Sequence, residues 1–182
     1  MMKKAVFTIV GAVMIFLSYM PMSDAADEYV GYMVFKGGYF GPSQDFQNED
    51  LDGKAYWELA LGTDLGMFGV EIGTGYMTTE NDLIDVTSIP ILLTGRLQFP
   101  IDIFCPYLLG GIGLYFTDME PRGLESENET NFGAHAGAGA EVRLQQLILG
   151  IEARYIWVNP DYNDVDVDLN GYTVTGNIGY RF

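Results

Sequence analysis

Few residues in this chain could do catalytic chemistry. His135 is the only histidine and Cys105 the only cysteine among the 182 residues. A histidine base must lie within hydrogen-bond reach of its nucleophile, yet the segment around His135 holds no serine, and Ser126 lies in a predicted loop. Cys105 has no partner for a disulfide, and we interpret it as a small strand residue rather than as a reactive thiol. We therefore predict no catalytic site and no cofactor.

Acidic residues are abundant and clustered. The chain carries 25 Asp and Glu against 9 Lys and Arg, a formal net charge of −16. This balance argues against nucleic-acid binding, because phosphate contacts need clustered Lys and Arg. Sixteen of the acids fall in four predicted connections: Asp45, Glu49, Asp50 and Asp52; Glu80, Asp82 and Asp85; Asp118, Glu120, Glu125, Glu127 and Glu129; Asp161, Asp164, Asp166 and Asp168.

The run from Asp164 to Gly171 has some features of a calcium-binding loop, since calcium prefers several carboxylate oxygens. The EF-hand pattern needs a glycine at its sixth position and a glutamate at its twelfth. Leu169 and Thr175 hold those positions here. We therefore predict no metal site and interpret the acidic connections as hydrated surface.

The segments that must position these groups alternate between apolar and polar residues. In the last one, Tyr172, Val174 and Ile178 share a face opposite Thr173 and Asn177, which is the period of a β-strand. No segment after residue 25 shows a convincing helical period. The predicted strands are 29–40, 55–64, 69–78, 86–98, 103–117, 131–144, 147–158 and 170–182.

The predicted connections alternate in length. An up-and-down transmembrane barrel with both termini on one side is expected to show this order, with long loops at one end and tight turns at the other. The long connections are 41–54, 79–85, 118–130 and 159–169, and the short ones are 65–68, 99–102 and 145–146. We predict an all-β fold, an eight-stranded antiparallel up-and-down transmembrane β-barrel.

Glycines and prolines inside these segments indicate irregular positions. We predict β-bulges at Gly37–Gly38 and Gly110–Gly111. Pro90, Pro100 and Pro106 cannot donate to a strand ladder, so we expect them near strand ends or bulges.

Charges within the strands fall on the polar faces. A soluble barrel with an apolar interior would show the same alternation, but its water-facing wall would carry many more charges. A charge facing lipid at mid-bilayer would cost about 2–4 kcal/mol, so we expect these groups to line the lumen of a membrane barrel. The predicted lumen charges are Lys36, Glu58, Glu71, Arg96, Glu141, Arg143, Glu152, Arg154 and Arg181.

Burial of these ions requires partners, and an eight-stranded barrel encloses only enough space for side chains. On neighbouring strands, Lys36 and Glu58 are expected at the same position along the barrel axis. Glu71 and Arg96 form a second pair of this kind. The charges then form either a structural plug of ion pairs or a gate whose pairs exchange to let small solutes pass.

The N-terminus has the features of a secretory signal peptide. Lys3 and Lys4 precede an apolar run from Ala5 to Met20, and Ser23-Asp24-Ala25 offers small residues before a cleavage site. We predict a cleaved signal peptide over 1–25 and a single barrel domain over 26–182.

The end of the chain, Tyr180-Arg181-Phe182, resembles the C-terminal signal of bacterial outer-membrane β-barrels, which the outer-membrane assembly machinery reads. Thr175, Tyr180 and Phe182 fit that pattern, whereas Asn177 stands where the signal has a glycine. The whole mature chain is similar to the small eight-stranded outer-membrane families, including OmpX, the transmembrane part of OmpA and the broad outer-membrane β-barrel domain family.

The resemblance implies an integral protein of the Gram-negative outer membrane with periplasmic termini. We expect a monomer in contact with outer-membrane lipid and lipopolysaccharide, whose phosphates could share divalent ions with the acidic loops. A non-enzymatic role in envelope structure or surface interaction is the first hypothesis, and a narrow OmpW-like channel for small or apolar solutes is the alternative. A lipid A deacylase needs a serine near its histidine, and Ala136 and Gly137 follow His135 instead.

Overall fold

The chain folds into eight β-strands. A computed structural model describes residues 30–43, 52–80, 84–121, 127–158 and 170–182. Within these ranges, no helix is long and apolar enough to cross a membrane. The strands are β1 Val30–Pro42, β2 Asp52–Leu65, β3 Phe68–Glu80, β4 Ile84–Gln98, β5 Phe104–Pro121, β6 Glu127–Leu144, β7 Leu147–Val158 and β8 Gly171–Arg181.

The strands form one closed antiparallel barrel in sequence order. Closure comes from the pairing of β1 with β8, in which Tyr32 lies opposite Arg181 and Pro42 opposite Gly171. Closing the sheet leaves no unpaired edge. The predicted eight-stranded up-and-down barrel is confirmed.

Two names describe the ends of the barrel below. The terminal end carries Val30, Phe182 and the two tight turns at 66–67 and 145–146, and the distal end is the opposite one. The predicted alternation of connection lengths holds only in part. Strands β3 and β4 leave just 81–83 between them, fewer residues than the 99–103 connection at the terminal end. The strands extend into segments that we predicted as loops because the hairpin ladder continues through polar residues such as Thr79 and Glu80.

Side-chain alternation assigns the two faces of the wall. Along β8, Thr173, Thr175 and Asn177 are buried inside, while Val174 and Ile178 are exposed outside. Strand β6 repeats the pattern with His135 inside and alanines outside. The outer wall is therefore an apolar belt, as a lipid-facing surface requires. Aromatic residues exposed on this wall include Phe35, Tyr39, Trp57, Phe68, Tyr76, Phe104, Phe132, Trp157, Tyr172, Tyr180 and Phe182.

The predicted bulges at Gly37–Gly38 and Gly110–Gly111 are wrong. The registers of β1 with its neighbours, and of β5 with its neighbours, run unbroken through these glycines. Gly38 instead allows the backbones of β1 and β8 to approach closely, because a Cβ there would overlap the carbonyl oxygen of Val174 on β8. The register shift in the described residues lies in β2 between Gly53 and Tyr56, opposite β3.

Pro90 also departs from its predicted place near a strand end or a bulge. It lies in the middle of β4 and points into the lumen. The pairing of β3 with β4 is interrupted there, between the Thr74–Ile91 and Met77–Ser88 partners. A proline removes one ladder donor, and this interruption accommodates the loss.

Candidate functional site

The lumen holds a connected cluster of buried ions. All nine predicted charges occupy inward-facing positions, and the structure adds Asp64, which is 6% exposed. We call these ten groups the lumen ion cluster: Lys36, Glu58, Asp64, Glu71, Arg96, Glu141, Arg143, Glu152, Arg154 and Arg181.

Lys36 is the centre of the cluster's distal half. Its Nζ lies 3.0 Å from Glu71, 3.0 Å from Glu152 and 3.4 Å from Glu58. Arg154 joins the last two of these carboxylates, with Nη1 3.0 Å from Glu58 and Nη2 2.6 Å from Glu152. Lys36 and Arg154 are 1% and 2% exposed, so these interactions take place away from bulk water and need full pairing.

Glu71 connects this half to the terminal end through Arg96. The Arg96 guanidinium lies 2.8 Å from Glu71 and 2.7 Å from Glu141. Arg143 then bridges Glu141 at 2.5 Å and Asp64 at 3.3 Å. Both strand-neighbour pairs predicted from the sequence, Lys36 with Glu58 and Glu71 with Arg96, are present.

The cluster is balanced in charge, with five carboxylates and five cations among the described residues. Its contact with water is confined to the terminal end. There the Arg143 side chain is 13% exposed, and the Arg181 side chain, 3.7 Å from Asp64, is 23% exposed. Sequence reasoning missed Asp64 because it is the last residue of the predicted strand 55–64, beside the turn at 66–67, and only charges well inside the strands were assigned to the lumen.

Sequence reasoning also missed the tyrosines that donate hydrogen bonds to three of the carboxylates. Tyr32 donates a hydrogen bond to Glu71 (2.9 Å), Tyr56 to Glu58 (2.5 Å) and Tyr107 to Glu152 (3.0 Å). The Tyr107 ring also stacks on Arg96, whose guanidinium carbon is 3.8 Å from the ring centroid, a favourable cation–π geometry. A sequence signal existed, since Tyr32 and Tyr56 alternate in phase with the nearby charges on their strands, and their side chains therefore point into the lumen as well.

An apolar layer covers the cluster towards the distal end. Seven buried side chains form it, and each is 4% exposed or less. We call this the apolar plug: Phe40, Tyr56, Met77, Leu92, Tyr115, Ile156 and Val158. The plug and the ion cluster together fill the lumen with packed side chains, as expected for so narrow a barrel.

His135 lies inside the lumen, where its Nε2 is 2.9 Å from Thr94 Oγ1. Ser88, the described serine that faces the lumen, accepts a hydrogen bond from Thr117 at 3.2 Å. The described residues therefore bring no serine into hydrogen-bond contact with His135. Ser126 lies outside them.

Nine of the sixteen acids in the predicted connections fall outside the described residues, as do the predicted signal peptide and most of the run from Asp164 to Gly171. The other seven lie within strands β2 to β6 rather than in loops: Asp52, Glu80, Asp85, Asp118, Glu120, Glu127 and Glu129. Within the described part of the chain, no group of three or more His, Cys, Asp or Glu side chains is placed to hold a metal ion.

Cys105 is a buried free thiol on β5, 3.7 Å from the Gln98 amide oxygen. Tyr180 and Phe182 lie at the outer surface of the terminal end.

Comparison with known proteins identifies similar sequences. A family model described as outer membrane protein beta-barrel domain matches residues 11–182. The 25 kDa outer-membrane immunogenic protein of Brucella canis is 31% identical over 129 residues, which cover 64% of this chain and 58% of that protein. The protein of the same name in Brucella melitensis matches with the same identity and coverage. The chain thus matches less than two thirds of the length of these curated relatives.

Solved structures share the fold. Neisserial surface protein A superposes with a TM-score of 0.63 at 13% identity, covering 84% of this chain and 95% of that chain. The N-terminal β-barrel domain of Pseudomonas aeruginosa OprF gives a TM-score of 0.57 at 12% identity, covering 86% and 98%. At these identities the similarity concerns the fold alone.

Proposed function

This chain belongs to the outer membrane protein beta-barrel domain family, and from that membership we propose that it is a non-enzymatic integral barrel with a role in envelope structure or surface interaction. The observation that carries the proposal is the filled lumen. Ten paired ions and the apolar plug occupy the interior, and a solid barrel of this kind acts through its walls and its connections rather than through a pore.

Orientation follows from the same proposal. With the termini in the periplasm, the distal end faces outward, and the sixteen acids of the predicted connections lie at the cell surface. The Brucella relatives are named as immunogenic outer-membrane proteins, which supports a surface-exposed role here. The proposal also includes contact with lipopolysaccharide, recognition of Tyr180 and Phe182 by the assembly machinery, and a monomeric state.

A narrow channel is the second candidate. The observation that favours it is that the Lys36 ammonium group has three carboxylates within 3.4 Å and could pair with any of them. Alternative pairings of similar energy would let the ions rearrange. Passage would still require the apolar plug to move, because its side chains fill the lumen between the ion cluster and the distal end.

Conductance of the refolded barrel in planar lipid bilayers distinguishes the two candidates. We expect no steady conductance from the wild type or from the double variant Glu58→Ala, Arg154→Ala, which removes one acid and one base 3.0 Å apart and keeps the charge balance. The double variant Phe40→Ala, Tyr115→Ala serves as the comparison, because it thins the apolar plug and leaves the ions in place.

Steady wild-type conductance would contradict the solid-barrel proposal and favour the channel. Conductance that appears only in the charge variant would assign the block to the ion cluster. Conductance that appears only in the plug variant would assign it to the apolar layer.

A further inference from the structure

Three side chains at the boundary between the apolar plug and the lumen ion cluster each carry a polar atom without a hydrogen-bond partner among the described residues. The atoms are Tyr115 Oη, His135 Nδ1 and Arg154 Nε. Each of these side chains is 2% exposed or less, so all three atoms are shielded from bulk water. Leaving a buried polar group unpaired is costly, and nearly all such groups in native proteins bind a protein or water partner.

Inward-facing glycines bring the Tyr115 and His135 rings next to each other. On β5 and β6, Gly113 is the register partner of Gly133, and Gly111 is the partner of His135. The Tyr115 ring covers the first pair, since its Cε2 lies 3.0 Å from where a Gly113 Cβ would be and 2.7 Å from where a Gly133 Cβ would be. The His135 ring covers Gly111, with Nε2 2.7 Å from the corresponding position. The two rings therefore lie on consecutive inward-facing levels of the same two strands.

Arg154 approaches the same place from β7. It is the register partner of Gly137, two residues along β6 from His135. His135 and Arg154 are thus diagonal neighbours, about 7–8 Å apart at the backbone and within reach of long side chains. Tyr115 and His135 both interact electrostatically with Arg154. The two terminal nitrogens of Arg154 are bonded to carboxylates of the ion cluster, which leaves its Nε–H as a donor for this place.

We propose that one bound water molecule joins Tyr115, His135 and Arg154. Buried waters typically make about three hydrogen bonds to otherwise unpaired polar groups, and three such atoms converge here. The water oxygen accepts hydrogen bonds from the Arg154 Nε–H and the Tyr115 hydroxyl, and the water donates one to His135 Nδ1. This arrangement requires that His135 Nε2 carries the ring proton and donates it to Thr94 Oγ1, 2.9 Å away. The water then connects the apolar plug, through Tyr115, to the ion cluster, through Arg154.

The charge balance and the size of the lumen select water over other ligands. The ion cluster already holds five carboxylates and five cations, so a further anion or cation would be an uncompensated buried charge. An apolar molecule would leave the three polar atoms unpaired, which is unfavourable. A lumen of eight strands is only wide enough for its side chains or one small ligand. Water is the small neutral molecule that both donates and accepts hydrogen bonds.

Crystal structures at a resolution that shows ordered water test the site directly. In the wild type we expect a water oxygen about 2.5–3.2 Å from all three atoms. Tyr115→Phe removes one of the three hydrogen bonds, keeps the ring in the plug and should lose the water. Tyr39→Phe is the matched control, because it removes a hydroxyl from the outer wall of β1 and should retain the water. Heat-modifiable gel mobility checks that each variant forms a closed barrel.

The state of the histidine ring provides a second readout. His135 is the only histidine, so nitrogen-15 histidine labelling of the untagged barrel gives one pair of ring signals in solid-state NMR. We expect a protonated Nε2 and an unprotonated Nδ1 when the barrel is refolded into lipid vesicles. A protonated Nδ1 would overturn the proposal.

Three crystallographic results would also overturn it. The first is a direct hydrogen bond between Tyr115 and His135 in the wild type, with no water between them. The second is water that stays in place in the folded Tyr115→Phe variant. The third is an anomalous bromide signal at the same position in crystals grown with bromide, because the ligand would then be an anion.

Discussion

Replacing Lys36 by methionine removes the cation at the centre of the lumen ion cluster. The Lys36 ammonium group is within 3.4 Å of Glu58, Glu71 and Glu152. Methionine keeps most of the side-chain volume but supplies neither charge nor hydrogen-bond donors. The ten balanced ions become nine, with one uncompensated negative charge buried in the barrel.

The loss of stability follows from what the three carboxylates retain. Glu71 keeps Arg96 at 2.8 Å, and Arg154 still contacts the other two carboxylates. No carboxylate is left wholly unpaired, yet the sum of charges is no longer zero. Removing one partner of a buried ion pair typically costs about 3–5 kcal/mol, and we expect Lys36→Met near the lower end of that range.

Equilibrium unfolding in urea, with the barrel refolded into lipid vesicles, measures this cost by linear extrapolation. Leu59→Met is the matched control, because it places the same side chain on the outer face of the neighbouring strand and should change stability little. The second variant, Lys36→Met with Glu152→Gln, restores the charge balance and should recover part of the loss, which a double-mutant cycle quantifies. A loss for Lys36→Met below about 1 kcal/mol, the size of an exposed ion pair, would refute the reasoning.

Two further predictions concern the barrel seam and the single histidine. Gly38→Val should prevent barrel closure, because its Cβ would overlap the backbone of Val174 on β8. Gly176→Val on the same seam should close normally, because its Cβ would meet nothing closer than the Gly37 carbonyl oxygen at 3.9 Å. Gel mobility of unheated samples checks both, and closure of Gly38→Val would contradict the close-approach argument. His135→Ala should behave like the wild type in lipid A mass spectra after overexpression, since the described neighbour of His135 is Thr94 rather than a serine. A change in lipid A mass that the wild type causes and His135→Ala abolishes would establish an enzyme instead.

Much of the barrel could be predicted from the sequence because side-chain direction is a local property of an extended chain. The alternation in β6 and β8 assigns inward and outward residues before any strand pairing is known. Adjacent strands in a meander also pair in a predictable way, which is why Lys36 and Glu58, direct register partners, could be matched in advance. The placement of charges on the inner face follows from the cost of exposing them to lipid.

Local irregularities were less accessible to sequence reasoning. Gly37–Gly38 has the composition of a bulge but serves close approach between strands, and Pro90 lies within a strand because the neighbouring ladder is interrupted beside it. Glycine and proline restrict the backbone, but the same restriction suits several structures. The neighbouring strand selects among them.

The sequence by itself determined that this protein is an eight-stranded membrane barrel with ions inside, because both properties follow from a period of two and from the energetics of charge in lipid. Only the tertiary structure decided which ions meet across the lumen. Lys36 reaches Glu152, 116 positions away, and Arg154 reaches Glu58, 96 positions away. Such contacts depend on closure, tilt and register of the whole barrel, and these are properties of all eight strands together rather than of any one segment.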